Sequence, residues 1–237
     1  MFESTLKNFN NSIDIKETGG DSFDEILIAF EKSWKIHRKS LLKNNNNPKL
    51  IIVGGQPGSG KTSLRNLILK NNKILFFSRD NFIIFHPNIS KLKMNTETLV
   101  EKTSKFKLIL AMLTISRCID TKISFLLENN FADLNMINNI TQKAKENSYY
   151  VEINILKVPF DISWISGQYR MIEMRNKNQA IRKIRDSTYV KSIDGMKNII
   201  AQAQNPSLNF LLNYDKLITF TRDDITVHSN KFIIKVI

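Results

Sequence analysis

The sequence predicts an α/β fold with a mainly parallel sheet flanked by helices, on three observations. Residues Gly55-Gln56-Pro57-Gly58-Ser59-Gly60-Lys61-Thr62 fit the phosphate-loop pattern G-x-x-x-x-G-K-[ST] at every fixed position. The loop stands after the apolar run Leu50-Ile51-Ile52-Val53, which reads as a buried parallel strand, and before residues 63–70, whose apolar spacing is helical. Further apolar runs at 74–77, 123–127, 151–156 and 217–220 alternate with helix-length stretches, the pattern of a parallel sheet with helices on both faces. Together these specify the three-layer P-loop NTPase/kinase fold.

Each element follows in order. Residues 1–21 are polar and include Gly19-Gly20, which suggests a loose arm ahead of the domain. Across 22–43, apolar Phe23, Ile26, Ile28, Phe30, Trp34 and Ile36 recur among charges, so an amphipathic helix is expected, closed by the turn from Asn44 to Pro48. Residues 22–237 are read as a single kinase domain with an arginine-rich lid over 164–189, and a closing strand is expected at 225–228.

Composition narrows the class. The chain has 237 residues, of which 42% are hydrophobic, enough for one large core. No run of 18 uncharged apolar residues occurs, and Met1-Phe2-Glu3-Ser4 does not open like a signal peptide, so a cytoplasmic location and no membrane partner are expected. Cys118 is the single cysteine, which excludes an internal disulfide and a cysteine-based metal site. A net charge of +13 suits a polyanionic substrate, a membrane surface or nucleic acid. The cations are dispersed without aromatic interleaving, which argues against nucleic acid, and biased coding is the plain alternative.

The loop implies a nucleoside triphosphate with Mg²⁺. Backbone N–H groups of residues 55–60 cradle phosphate oxygens, Lys61 neutralises the β and γ groups, and the Thr62 hydroxyl ligates Mg²⁺, with Ser63 a further nucleotide-binding position. Ligands of such sheets gather at the carboxyl ends of the strands. That places Asp80 after the second strand and Glu128 after the third among the candidates. Phosphoryl transfer requires a base for the acceptor proton, and Asp80 is the candidate; its alternative role is the N-cap of a helix at Asn81. Glu128 is a candidate to orient substrate or a metal-bound water, the alternative being a solvated loop residue at a strand end. Arg170, Arg175, Arg182 and Arg185 are dense enough to supply guanidinium groups to a transferring phosphoryl, the alternative being an exposed basic helix face. His37, His86 and His228 are too scattered for a metal cluster, and His86-Pro87 is expected to shape the loop after Asp80.

On these residues the chain resembles the zeta toxin family of bacterial toxin–antitoxin systems. The stretch from Gly54 to Arg65 is similar to the extended family loop, and Asp80, Phe82 and His86-Pro87-Asn88 resemble the segment carrying the family's general base. Glu128 matches an acidic position. Val158-Pro159, Ser163-Trp164 and Arg170 align with a stretch whose arginine contacts nucleotide phosphates, and Arg182 is similar to the second phosphate-binding arginine. The resemblance implies a kinase that uses ATP or GTP with Mg²⁺ to phosphorylate the amino-sugar 3′-hydroxyl of UDP-N-acetylglucosamine and so blocks cell-wall precursor supply. It also implies a small antitoxin protein that occludes the nucleotide site. Under that resemblance Lys61 and Arg182 stabilise the transferring group, Asp80 accepts the proton, Arg170 holds the triphosphate, and Glu128 and Asn130 face the UDP-sugar substrate.

The chain departs from the family pattern on the sugar side. Asn129, Asn130, Phe131 and Ala132 stand where the family has Gly-Thr and then an arginine, and an apolar residue near Met112 replaces a substrate-contacting glutamate. Two other readings follow: a kinase for a different acceptor (nucleotide, dinucleotide cofactor or nucleic-acid end), and a non-catalytic nucleotide-binding regulator acting through a partner protein.

Overall fold

The computed structural model describes residues 22–38, 47–92, 99, 102–177, 186–205, 212–222 and 232–236. These fall into two compact units. The first holds 22–38, 75–92, 99, 102–124 and 173–177; the second holds 47–74, 125–172, 186–205, 212–222 and 232–236. The arm at 1–21 and the expected closing strand at 225–228 lie outside the described residues.

The first unit opens with α1 (Phe23–Arg38), within the expected 22–43. Its start is a reciprocal cap: Ser22 N–H donates to Glu25 Oε2 at 2.9 Å, and Glu25 N–H donates to Ser22 Oγ at 3.2 Å. Ile26, Ala29, Phe30, Ser33 and Trp34 form the buried face at spacings of three and four. Ile28 and Ile36, expected to share that face, are exposed instead: Ile28 falls on the opposite side of the helix, and Ile36 lies at the edge of the buried stripe near the helix end. The short strand β2 (Leu75–Phe77) leads into a 3₁₀ helix (Arg79–Phe85) and the short α3 (Ile89–Leu92). Phe82 and Phe77 lie fully inside, 5.9 Å apart between ring centres, with His37 of α1 against both.

A long helix, here α4 (Ser104–Asp120), is apolar around most of its circumference and correspondingly buried. It ends in a turn at Lys122, whose φ is 55°, and Ile123 N–H reaches back to the Cys118 carbonyl at 3.0 Å. That bond draws Ile123 into the helix terminus, so the third strand starts two residues later than its apolar run.

The second unit is built on β1 (Lys49–Gly54), buried from its second residue onward. Parallel partners flank it: β3 (Phe125–Asn129), with Ile52 opposite Leu127, and β4 (Tyr150–Lys157), with Ile52 opposite Ile153. β4 pairs in parallel with β5 (Lys216–Arg222), and the edge is closed by antiparallel β6 (Phe232–Val236). The strand order within this unit is β3-β1-β4-β5-β6. Helices α2 (Lys61–Asn71), α5 (Leu134–Glu146) and α7 (Asp186–Gln204) belong to it, as does α6 (Phe160–Asn176) as far as Ile172. Asp133 caps α5 by accepting from Met136 N–H at 3.0 Å. The fold is the P-loop NTPase/kinase type with a mainly parallel sheet flanked by helices, as the sequence predicts.

Candidate functional site

The phosphate loop occupies the link between β1 and α2. Gly58 and Gly60 have φ of 77° and 97°, values a side chain disfavours, and they bend the chain so that α2 begins directly at Lys61. Ser63 N–H closes the first turn on the Gly60 carbonyl at 3.0 Å. An N-terminus of this kind presents unpaired N–H groups and a partial positive charge to an anion. Thr62 is exposed in that first turn. Lys61 Nζ donates to the carbonyl oxygens of Gly55 and Gln56 at 2.7 and 2.9 Å, so the ammonium lies across the mouth of its own loop.

A clamp invisible in the motif holds the loop from behind. Gln56 is buried, and its Nε2 donates to the Val158 carbonyl at 2.6 Å and to Ser163 Oγ at 2.9 Å. Ser163 Oγ in turn donates to the Phe160 carbonyl at 2.9 Å. Small residues make the approach possible: a Cβ on Gly58 would collide with the Ser163 carbonyl and lie 2.9 Å from Gly167 N. Gly167 is needed for the same reason on its other side, where the Tyr189 hydroxyl of α7 packs against it. Burial, then the nearby Asp186 charge, push the Tyr189 phenol up from its ordinary value. Gln56 Oε1 and Ser59 Oγ are buried with no hydrogen-bond partner among the described residues.

Glu128 stands at the end of β3, paired with Arg65 of α2 at 3.2 Å, both side chains about four-fifths buried. Beyond it, two asparagines build a tight turn. Asn129 Oδ1 accepts from Phe131 N–H at 2.6 Å, and Asn130 Oδ1 accepts from Ala132 N–H at 3.1 Å. The turn puts Phe131 at a φ of 57° and drives its ring fully inside, against the α-carbon of Gly54, with its carbonyl against Gly195 of α7. Asn129 and Asn130 therefore shape the turn that seats Phe131, and the side-chain oxygen of Asn130 is engaged by the backbone. Arg170 is exposed on α6. Its companion Arg182 lies outside the described residues, as does Arg185.

Asp80 belongs to the first unit. Ser78, not Asp80, occupies the cap position of the 3₁₀ helix, so the capping alternative for Asp80 does not hold. Its Oδ1 accepts from Lys107 Nζ of α4 at 3.0 Å. His86 shapes the following turn as expected: it is buried, its Nδ1 accepts from Asn88 N–H at 3.1 Å, and its ring centre lies 4.6 Å from that of Phe106. Met112 is half-buried on α4. The second unit thus gathers residues 55–63, Glu128, Asn130 and Arg170, while Asp80 and Met112 stand in the first. Sequence reading missed Lys107 and the Gln56 clamp. The signal for Lys107 was a lone charge inside the apolar stretch from Phe106 to Ala111.

A family model described as Zeta toxin matches residues 33–231. The chain belongs to the zeta toxin family. Among its zeta toxin relatives, Toxin PezT of Streptococcus pneumoniae serotype 4 is 24% identical over 143 residues, covering 58% of this chain and 56% of the relative. Toxin zeta of Enterococcus hirae is 26% identical over 116 residues, covering 48% and 41%. The match thus spans about half the length of these curated relatives. Solved structures carry the same fold. One, from the characterization of the PezAT chromosomal toxin–antitoxin system of Streptococcus pneumoniae, has a TM-score of 0.69 at 19% identity, covering 88% of this chain and 82% of that one. Another, AvrRxo1-ORF1:-ORF2 with ATP, has a TM-score of 0.58 at 16% identity, covering 92% and 68%. No described helix of this zeta toxin family member is long and apolar enough to cross a membrane.

Proposed function

We propose that the chain is a kinase that transfers the γ-phosphate of ATP or GTP to a sugar hydroxyl of UDP-N-acetylglucosamine or a related UDP-sugar, thereby inhibiting cell-wall synthesis. The observation that carries this reading is the loop from Gly55 to Gly60 feeding α2, with Lys61 and Thr62 at the helix start. In the reaction the Asp80 carboxylate accepts the hydroxyl proton, the sugar oxygen bonds to the γ-phosphorus, and the bond to the β,γ-bridging oxygen breaks to release the nucleoside diphosphate. Lys61 and Arg182 stabilise the charge on the transferring group, and Arg170 holds the triphosphate. Glu128 and Asn130 face the sugar.

The residues present fit Mg²⁺ bound chiefly through nucleotide phosphates and water. The Thr62 hydroxyl is exposed in the first turn of α2, and no cluster of three or more His, Cys, Asp or Glu suited to a metal occurs among the described residues. When bound, the ion supplies charge neutralisation at the β and γ oxygens.

A small antitoxin protein is the proposed partner, supported by the likeness to a solved structure described as belonging to the PezAT toxin–antitoxin system. A different acceptor is the second reading, favoured by the engagement of the Asn130 side-chain oxygen with Ala132 N–H and by the packing of Phe131 where a sugar-binding turn is expected. Mass spectrometry of the protein with ATP, Mg²⁺ and a panel of UDP-sugars, beside Asp80→Ala, tests the proposal. A phosphorylated UDP-sugar absent in the variant is expected; ATP binding with no phosphorylated sugar overturns the assigned acceptor.

A further inference from the structure

We infer that Lys107 is a positioning residue for Asp80, fixing one carboxylate oxygen so that the base is aimed before the acceptor arrives. The inference rests on the kinase reading above, in which Asp80 is the base.

The pair is asymmetric in a way that stability does not explain. The Lys107 side chain is 5% exposed, whereas that of Asp80 is 55% exposed. Lysine is almost never fully buried unless paired, because an ammonium taken out of water loses more than a carbon chain gains. Here the neighbours of Lys107 along α4 are core: Phe106, Ile109 and Leu110 are at most 1% exposed. An apolar side chain at 107 would extend that core, and because the Asp80 side chain is 55% exposed, losing the lysine would leave no buried unpaired charge. Asp80, half in water, does not require the lysine for solvation. What Lys107 supplies is direction.

The surrounding frame makes that direction useful. Arg79 Nη2 donates to the Ser104 carbonyl at 2.9 Å and to Ser104 Oγ at 3.0 Å, tying the start of the 3₁₀ helix to the start of α4. Phe82, two residues past Asp80, is wholly buried against Phe77 and His37. With the backbone held on both sides, the remaining freedom of Asp80 is its side-chain rotamer, and Lys107 Nζ at 3.0 Å from Oδ1 restricts it. A carboxylate held in one rotamer presents its basic oxygen without reorganisation, and misplacement of a reacting group by about 1 Å costs on the order of 100-fold in rate.

The test measures kcat, KM for ATP and thermal unfolding with UDP-N-acetylglucosamine as acceptor, for Lys107→Met, Asp80→Asn and the double variant. For Lys107→Met the expected result is an unchanged or raised Tm, a KM for ATP within about two-fold, and a kcat lower by about 10- to 100-fold. In the Asp80→Asn background the Met substitution is expected to lower the residual rate no further, since its route of action is gone. Lys107→Gln, a neutral donor of shorter reach, is the second variant and carries the same expectation for kcat. A kcat within about two-fold of the parent in Lys107→Met, an equal loss in the Asp80→Asn background, or a collapse of Tm in both Lys107 variants overturns the inference. If Asp80→Asn itself retains turnover, the assignment of the base fails, an outcome separate from the behaviour of Lys107.

Discussion

Arg65 Nη1 lies 3.2 Å from Glu128 Oε2, which ties the acidic side chain at the end of β3 to the second turn of the phosphate-loop helix. The arginine balances one negative charge beside a site that attracts several more, and it holds Glu128 in one orientation. Arg65→Ala is expected to destabilise the fold by about 1 kcal/mol, since the pair is only partly buried. On the kinase reading it also lowers transfer to the acceptor by about 10-fold with ATP affinity little changed. Chemical denaturation, calorimetry with ATP and a product assay check the three parts.

Gly58 meets the Ser163 carbonyl and Gly167 N where its own Cβ would stand, and its φ is 77°. Gly58→Ala is expected to cost about 2–4 kcal/mol from the left-handed backbone and the collision together. Because the loop backbone must shift to relieve the contact, ATP binding is lost as well. Thermal unfolding with and without ATP is the measurement: the parent gains Tm with nucleotide and the variant does not.

Asp215 links the start of β5 to β4, accepting from Lys145 Nζ at 2.6 Å and from Val151 N–H at 2.8 Å. Burial alone would raise its carboxyl, but the Lys145 and Val151 bonds outweigh it and hold the group below its ordinary 3.8. A depressed folded-state value stabilises the fold above 3.8, and that contribution is lost as the pH falls from there through the folded value. Asp215→Asn is therefore expected to lower stability by about 1 kcal/mol at neutral pH. The gap closes in acid below 3.8, as followed by unfolding across a pH series.

Cys118 is wholly buried in α4, and burial pushes its thiol far above the ordinary value. The folded protein is expected to react with a thiol reagent at mildly alkaline pH at least about 100-fold more slowly than a free thiol. In denaturant the single cysteine reacts fully. Rapid modification of the native protein would contradict this packing.

The sequence by itself determined the elements whose signal is local. The strand before the loop, the loop and the helix after it follow from three adjoining patterns, and β4 and β5 coincide with their apolar runs because alternation and burial are written residue by residue. It also singled out Asp80, Glu128 and the loop residues, since strand ends and fixed-spacing motifs are legible along the chain. Tertiary structure alone decided the partners. Lys107 meets Asp80 across 27 residues, Arg65 meets Glu128 across 63, and Gln56 meets Val158 across 102. Periodicity states that a residue is buried but not which distant group it faces; that depends on helix rotation and strand register, which only the packed core selects. Asn129 and Asn130 bond N–H groups only two residues on, a local turn, but the packed core alone placed Phe131 under Gly54, where a single α-carbon without a side chain leaves room for the ring.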